Sequence, residues 1–138
     1  MVKKERVIYL RNGMLIDGNG GEPIPDEAVL IRGSIIEAVG EVGEIAISET
    51  EKVETIDVSG KTIMPGMVEC HYHLTFHQYI NAFDIDARYS IEYNTVLAVK
   101  NAEIFLESGF TTIRDVGCRG NIAVAIRDAV DAGLIPGT

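Results

Sequence analysis

The chain has 138 residues, of which 46% are hydrophobic, so it can bury the core of one ordinary domain. Its formal net charge of −9 argues against binding to nucleic acid or to an anionic membrane surface, since both select basic patches. The sequence has neither an apolar stretch of membrane-spanning length nor a signal-type segment after its basic first residues, which predicts a cytoplasmic protein. Two cysteines are too few for a disulfide framework, as expected in a reducing compartment.

The first 60 residues read as short strands separated by turns. Predicted strands cover residues 7–10, 14–16, 28–32, 35–39 and 53–58. The dipeptide Gly33-Ser34 is typical of a two-residue hairpin turn with glycine in its first position. The polar stretch 41–52 is predicted to be a loop, and no helical periodicity of useful length appears in this half.

The pattern changes after Lys61 to alternating strands and helices. The sequence predicts a strand over 62–73, a helix over 90–108, a strand over 110–116 and a helix over 121–132. Ser90 and Asn121 are the predicted N-terminal caps, and a glycine follows each helix. This order is typical of parallel βα units in an α/β fold. Two such units cannot close a barrel, so we expect the chain to be the start of a larger structure.

His71 and His73 end the apolar strand predicted over 62–73. Side chains alternate along a strand, so these two imidazoles share one face and could ligate the same metal ion. The carboxyl end of a strand is also where α/β folds place their chemistry. The ordinary alternative is a pair of incidental surface histidines, since the His-x-His pattern is common.

Three stretches together resemble the amidohydrolase superfamily, in its imidazolonepropionase-like branch. They are residues 56–66, residues 67–74 with the His-x-His pair, and residues 107–117. The resemblance implies that 1–61 is the N-terminal part of a small β domain. It also implies that 62–138 forms the first two βα units of a TIM-type (β/α)8 barrel.

The resemblance implies a metal-dependent hydrolase of carbon–nitrogen bonds in amides, cyclic amides or dipeptide-like small molecules. His71 and His73 would be ligands of one or two divalent ions, most often zinc, which activate water and polarise the scissile carbonyl. Family members take a lysine, two more histidines and an aspartate, the general base, from later strands. Because a catalytic site needs at least three protein donors, we expect this chain alone to be inactive.

Four further residues are candidates for contacts behind the metal or with substrate. Glu69 stands where the family usually has aspartate, and it shares the histidine face. His77 follows in a predicted loop, where it contacts substrate or is simply solvated. Arg114 and Asp115 alternate faces at the end of the second strand, so one of them should face the barrel mouth. That residue either contacts substrate or a metal ligand, or its charge orders the following loop.

Two alternatives from other classes remain open at this stage. The chain could be a non-catalytic βα module that binds metal or pairs with another chain, or a truncated remnant. An unpaired barrel strand favours association, so a homo-oligomer is possible. The expected ligand of the parent enzyme is a small molecule, with no nucleic acid or membrane partner.

Overall fold

The computed structural model describes residues 5–48, 50–76 and 88–137. The chain divides into two compact units, Met1–Pro65 and Gly66–Thr138. The boundary therefore falls four residues later than the division at 61/62 that the sequence suggests. No helix in the described part of the chain is long and apolar enough to cross a membrane.

The first unit contains a mixed β-sheet. Its strands are β1 (Val7–Leu15), β2 (Ile24–Arg32), β3 (Ile35–Glu41), β4 (Val53–Asp57) and the short β5 (Thr62–Ile63). The order is β3-β2-β1-β4, and β5 also pairs with β1. Strands β1 to β3 are antiparallel, whereas β4 and β5 run parallel to β1. The Gly33 turn between β2 and β3 has φ +59°, which confirms the predicted hairpin.

Strand β1 is continuous where the sequence predicts two strands. Its register with β2 shifts around Gly13, and Asn12 has φ +63°. A β-carbon on Gly13 would lie 2.8 Å from the side chain of Ile63. A bulge breaks the two-residue alternation of side chains without ending the strand, which explains the incorrect division.

The core of the first unit lies on one face of this sheet. Val7, Tyr9, Ala28 and Leu30 are buried there, with Ile45 and Ile47 packed against them from the predicted loop. Apolar side chains from that loop therefore close the core from its open side. The segment 41–52 therefore packs in part on the sheet and is not a purely solvated connection.

The sequence predicts a single strand over 62–73, and this prediction is wrong. The structure divides it into β5, which pairs with β1, and β6 (Met67–Tyr72) in the second unit. Pro65 has no N–H to donate to a ladder, and a β-carbon on Gly66 would collide with the side chain of Thr111. The Pro65-Gly66 pair therefore ends one strand and admits the close approach that begins the next.

The second unit contains β6, α1 (Ile91–Glu107), β7 (Phe110–Asp115) and α2 (Ile122–Asp131). Strands β6 and β7 pair in parallel, which confirms the predicted strand–helix–strand pattern and the mixed α/β class. A separate core joins the loop after β6 to both helices; it contains Leu74, Ala98, Ala102, Ile122 and Ile126. Burying these side chains between strand ends and helices fixes the position of that loop.

Candidate metal site

The two histidines lie together at the carboxyl end of β6. His71 is exposed and His73, just past the strand, is half-buried. Their ring centres are 5.6 Å apart and the ring planes are nearly perpendicular. Since a zinc–imidazole bond is about 2.1 Å long, rings at this separation are within reach of a single ion.

The ring of His73 is oriented by a backbone carbonyl. Its Nδ1 is hydrogen-bonded to the carbonyl oxygen of Gly117, which follows β7. A carbonyl oxygen can only accept, so Nδ1 carries a proton, and in the neutral imidazole Nε2 then keeps its lone pair. Metal-bound histidines are usually held in this way, by a carbonyl or carboxylate on the nitrogen opposite the metal. The arrangement therefore fits a divalent ion at Nε2.

Asp115 joins the two loops beside His73. Its Oδ2 accepts a hydrogen bond from the Leu74 N–H at 2.9 Å, and its Oδ1 accepts one from the Gly117 N–H at 2.8 Å. Asp115 therefore contacts the backbone of both loops that lie beside the His73 ring. Arg114 is exposed and lines an open cleft between β7 and α2.

Glu69 lies on β6, two residues before His71. Its carboxylate accepts a hydrogen bond from the His71 N–H at 3.0 Å. The carboxylate therefore contacts the backbone of its own strand, directly beneath the first histidine. Burial raises the pKa of Tyr72, and the nearby charge of Glu69 adds to this effect. The fourth candidate, His77, lies outside the described residues.

Sequence reasoning missed Asn101. This buried side chain on α1 donates from Nδ2 to the carbonyl oxygens of Leu74, at 2.7 Å, and Phe76, at 3.2 Å. A polar residue at the helical spacing of the apolar face, beside Ala98 and Ala102, was the available signal. A buried asparagine needs partners, and here the partners are carbonyls of the loop that carries His73.

Within the described ranges, no third metal donor lies beside the two histidines. Those residues contain no group of three or more His, Cys, Asp or Glu side chains placed to hold an ion. Both cysteines are free thiols, Cys70 exposed and Cys118 half-buried. The described part of the site therefore consists of two imidazoles and the contacts that orient them.

Comparison with known proteins gives both sequence relatives and structural neighbours, although no family model matches the chain. The imidazolonepropionase of Porphyromonas gingivalis is 40% identical over 52 residues, which cover 38% of this chain and 12% of that protein. Adenine deaminase 1 of Rhizobium etli is 32% identical, with 74% of this chain and 22% of that protein covered. The chain thus spans a small part of the length of these relatives.

Solved structures extend the similarity to nearly the whole chain. A Xaa-Pro dipeptidase with bound methionine superposes with a TM-score of 0.81 and 30% identity over 95% of this chain and 31% of its own. Molinate hydrolase gives a TM-score of 0.76 and 30% identity over 98% of this chain and 29% of its own. The fold of this chain is thus shared with known hydrolases. The chain belongs to the amidohydrolase superfamily and corresponds to the N-terminal portion of its members.

Proposed function

We propose that this chain supplies two metal-binding histidines, His71 and His73, of a hydrolase that cleaves a carbon–nitrogen bond in a small molecule. The names of the relatives support this class of reaction: a dipeptidase cleaves a peptide bond, and a deaminase removes an amino group. We also propose that this chain forms the first part of a (β/α)8 barrel and that the catalytic base comes from a later strand of it. We infer a cytoplasmic location from the acidic composition and the reduced cysteines.

One observation carries the proposal at the level of residues. The Nδ1–H of His73 is donated to the carbonyl of Gly117, and the ring of His71 stands 5.6 Å away. In the neutral ring, this contact leaves Nε2 of His73 as the nitrogen with a free lone pair. An incidental surface histidine has no need of a fixed tautomer, whereas a ligand does.

The residues of this chain would hold and orient one or two divalent ions, with zinc the expected metal. Such an ion supplies Lewis acidity, polarising a carbonyl oxygen and lowering the pKa of water. His71 and His73 would contribute imidazole nitrogens, which suit zinc. Glu69 accepts a hydrogen bond from the backbone of His71 and so holds that part of β6.

The test is a titration of the purified 138-residue chain with Zn²⁺, followed through the imidazole nitrogens by NMR. We expect the signals of His71 and His73 to shift together, because both rings meet the same ion. His71→Ala and His73→Ala should each weaken binding by at least about 10–100-fold, the loss caused by removing even an outer partner of a ligand.

The chain has three histidines, so His77→Ala is a matched control that removes an imidazole from outside the pair. Binding that survives His77→Ala and is lost with His71→Ala supports the proposed pair. Equal Zn²⁺ affinity in all three variants contradicts it and favours a remnant without a metal site. Zn²⁺ binding in a longer protein that includes this chain, without hydrolysis of dipeptides or formamides, would instead favour the non-catalytic metal-binding module.

A further inference from the structure

The loop after β6 passes through the interior of the second unit. Leu74 is 4% exposed and Thr75 is 1% exposed. Backbone N–H and C=O groups in such a position must find partners inside the protein, because water does not reach them. The Leu74 N–H donates to Asp115, and the Leu74 and Phe76 carbonyls accept from Asn101. Side chains from two other elements thus replace the ladder that ends with β6.

Asp115 has a second contact that links this loop to the ligand itself. One carboxylate oxygen holds the Leu74 N–H, next to His73, and the other holds the Gly117 N–H. The Gly117 carbonyl, in turn, accepts the proton of His73 Nδ1. These three hydrogen bonds, together with the peptide bond between His73 and Leu74, therefore close a ring from His73 through Leu74, Asp115 and Gly117 back to the imidazole.

We infer that Asp115 is a positioning residue for His73, with Asn101 as its support from α1. By fixing both the residue after His73 and the carbonyl that its ring contacts, Asp115 determines which imidazole nitrogen carries the proton. Asn101 keeps the loop at the depth at which this ring of bonds can close. The inference rests on the proposed function, in which Nε2 of His73 binds the ion.

The geometry explains why an aspartate suits this place. Both contacts are made to N–H donors, so the side chain must accept twice, and a carboxylate has two acceptor oxygens. Hydrogen bonds to a charged acceptor are also the stronger kind. In Asp115→Asn the amide NH2 would face one of the two N–H donors, so one bond is lost while the size of the side chain is unchanged.

The first measurement uses the unaltered, metal-free chain and therefore does not depend on the proposed metal. We expect the ¹⁵N signals of His73 to report the Nδ1–H tautomer at a pH where the ring is neutral. We also expect slow exchange of the Leu74 amide proton. An Nε2–H tautomer in the unaltered chain overturns the inference whatever the variants do.

The second measurement compares Asp115→Asn with Asp131→Asn, a matched change of an exposed aspartate at the end of α2. In Asp115→Asn the two ¹⁵N signals of His73 should move toward each other as the tautomers mix. The Zn²⁺ affinity should fall by about 10–100-fold. Asp131→Asn should change neither. Asn101→Ala should speed exchange of the loop amide protons. It should also shift the ¹⁵N signals of His73 in the same direction as Asp115→Asn does.

The outcomes separate this inference from the proposed function. If Asp115→Asn lowers stability but leaves the tautomer and the Zn²⁺ affinity unchanged, Asp115 only orders the loop, and the inference is overturned. If His71→Ala and His73→Ala retain Zn²⁺ binding, the metal proposal fails, while the tautomer still tests the role of Asp115. Should Asp115→Asn fail to fold, the tautomer of the unaltered chain and the Asn101→Ala variant decide.

Discussion

Gly66 lies where the side chain of Thr111 leaves no room for a β-carbon. A methyl group there would fall within the van der Waals radii of Thr111 Cγ2 and Oγ1. Thr111 belongs to β7, which pairs in parallel with β6. The absence of a side chain at Gly66 therefore lets the chain enter β6 close beside β7.

Gly66→Ala should destabilise the second unit by about 1–3 kcal/mol, the usual cost of forcing an extra carbon into a packed site. Gly21→Ala is the matched control, because a β-carbon at Gly21 meets nothing within 4 Å and its φ is not positive. Chemical denaturation followed by circular dichroism measures both. Equal midpoints for the two variants would contradict the close approach.

At the scale of elements, the two helices begin differently. The Ser90 hydroxyl accepts a hydrogen bond from the Tyr93 N–H at 3.3 Å, which confirms the predicted cap of α1. Asn121 occupies the cap position of α2 but makes no capping hydrogen bond, so that prediction is wrong in its chemistry. The Ala123 N–H instead donates to Cys118 Sγ, which the preceding turn brings to the helix start.

Ser90→Ala should therefore cost about 1 kcal/mol of stability, and Asn121→Ala distinctly less. Thermal unfolding of the two variants beside the unaltered chain makes the comparison. A larger loss in Asn121→Ala would show that its side chain caps α2 after all. Cys118→Ala extends the test, since it removes the sulfur acceptor from the first turn of α2.

Ser90 also makes the contribution of the α1 N-terminus to folding stability depend on pH. A hydrogen bond from Ser90 is the largest cause that lowers the pKa of Glu92 below its usual value. A lowered carboxyl pKa stabilises the folded state at pH values above the unfolded pKa, and this contribution disappears as the pH falls through the folded value. The difference in stability between the unaltered chain and Ser90→Ala should thus narrow below about pH 4.

At the scale of the whole molecule, each unit contains its own sheet and its own core. Within the described residues, β6 and β7 form a sheet of two strands, so each strand has one edge without a strand partner. Exposed edges present unpaired N–H and C=O groups to other chains. We therefore retain the expectation that the chain associates with itself.

The average mass measured by sedimentation should rise with protein concentration. Thr112→Lys places a charge at an exposed position of β7. This change should reduce the association, because lysine on an edge strand disfavours pairing. Thr50→Lys adds the same charge to a turn of the first unit and should have no effect. A monomer at every concentration tested would contradict the expectation, as would equal association of both variants.

Much of the fold follows from local patterns in the sequence. The helix over 91–107 combines apolar spacing, a serine cap and a following glycine, and all three are readable without a structure. Pro65 is a local signal for the division of the strand over 62–73, whereas the close approach of Thr111 to Gly66 is visible only in the structure. Asn101 was missed for a related reason: its loop partners are 25 and 27 residues away in sequence.

The sequence by itself determined the βα order, the family and the pair of histidines at the end of one strand. Alternation along a strand is a local property, so the relation between His71 and His73 is already present in the spacing of the two residues. The tertiary structure alone decided which acceptor meets His73 Nδ1, because Gly117 is 44 residues away. It also decided the contacts of Asp115, because its two carboxylate oxygens accept hydrogen bonds from two loops that only the fold brings together. Long-range hydrogen bonds depend on how the elements pack, and no local pattern encodes them.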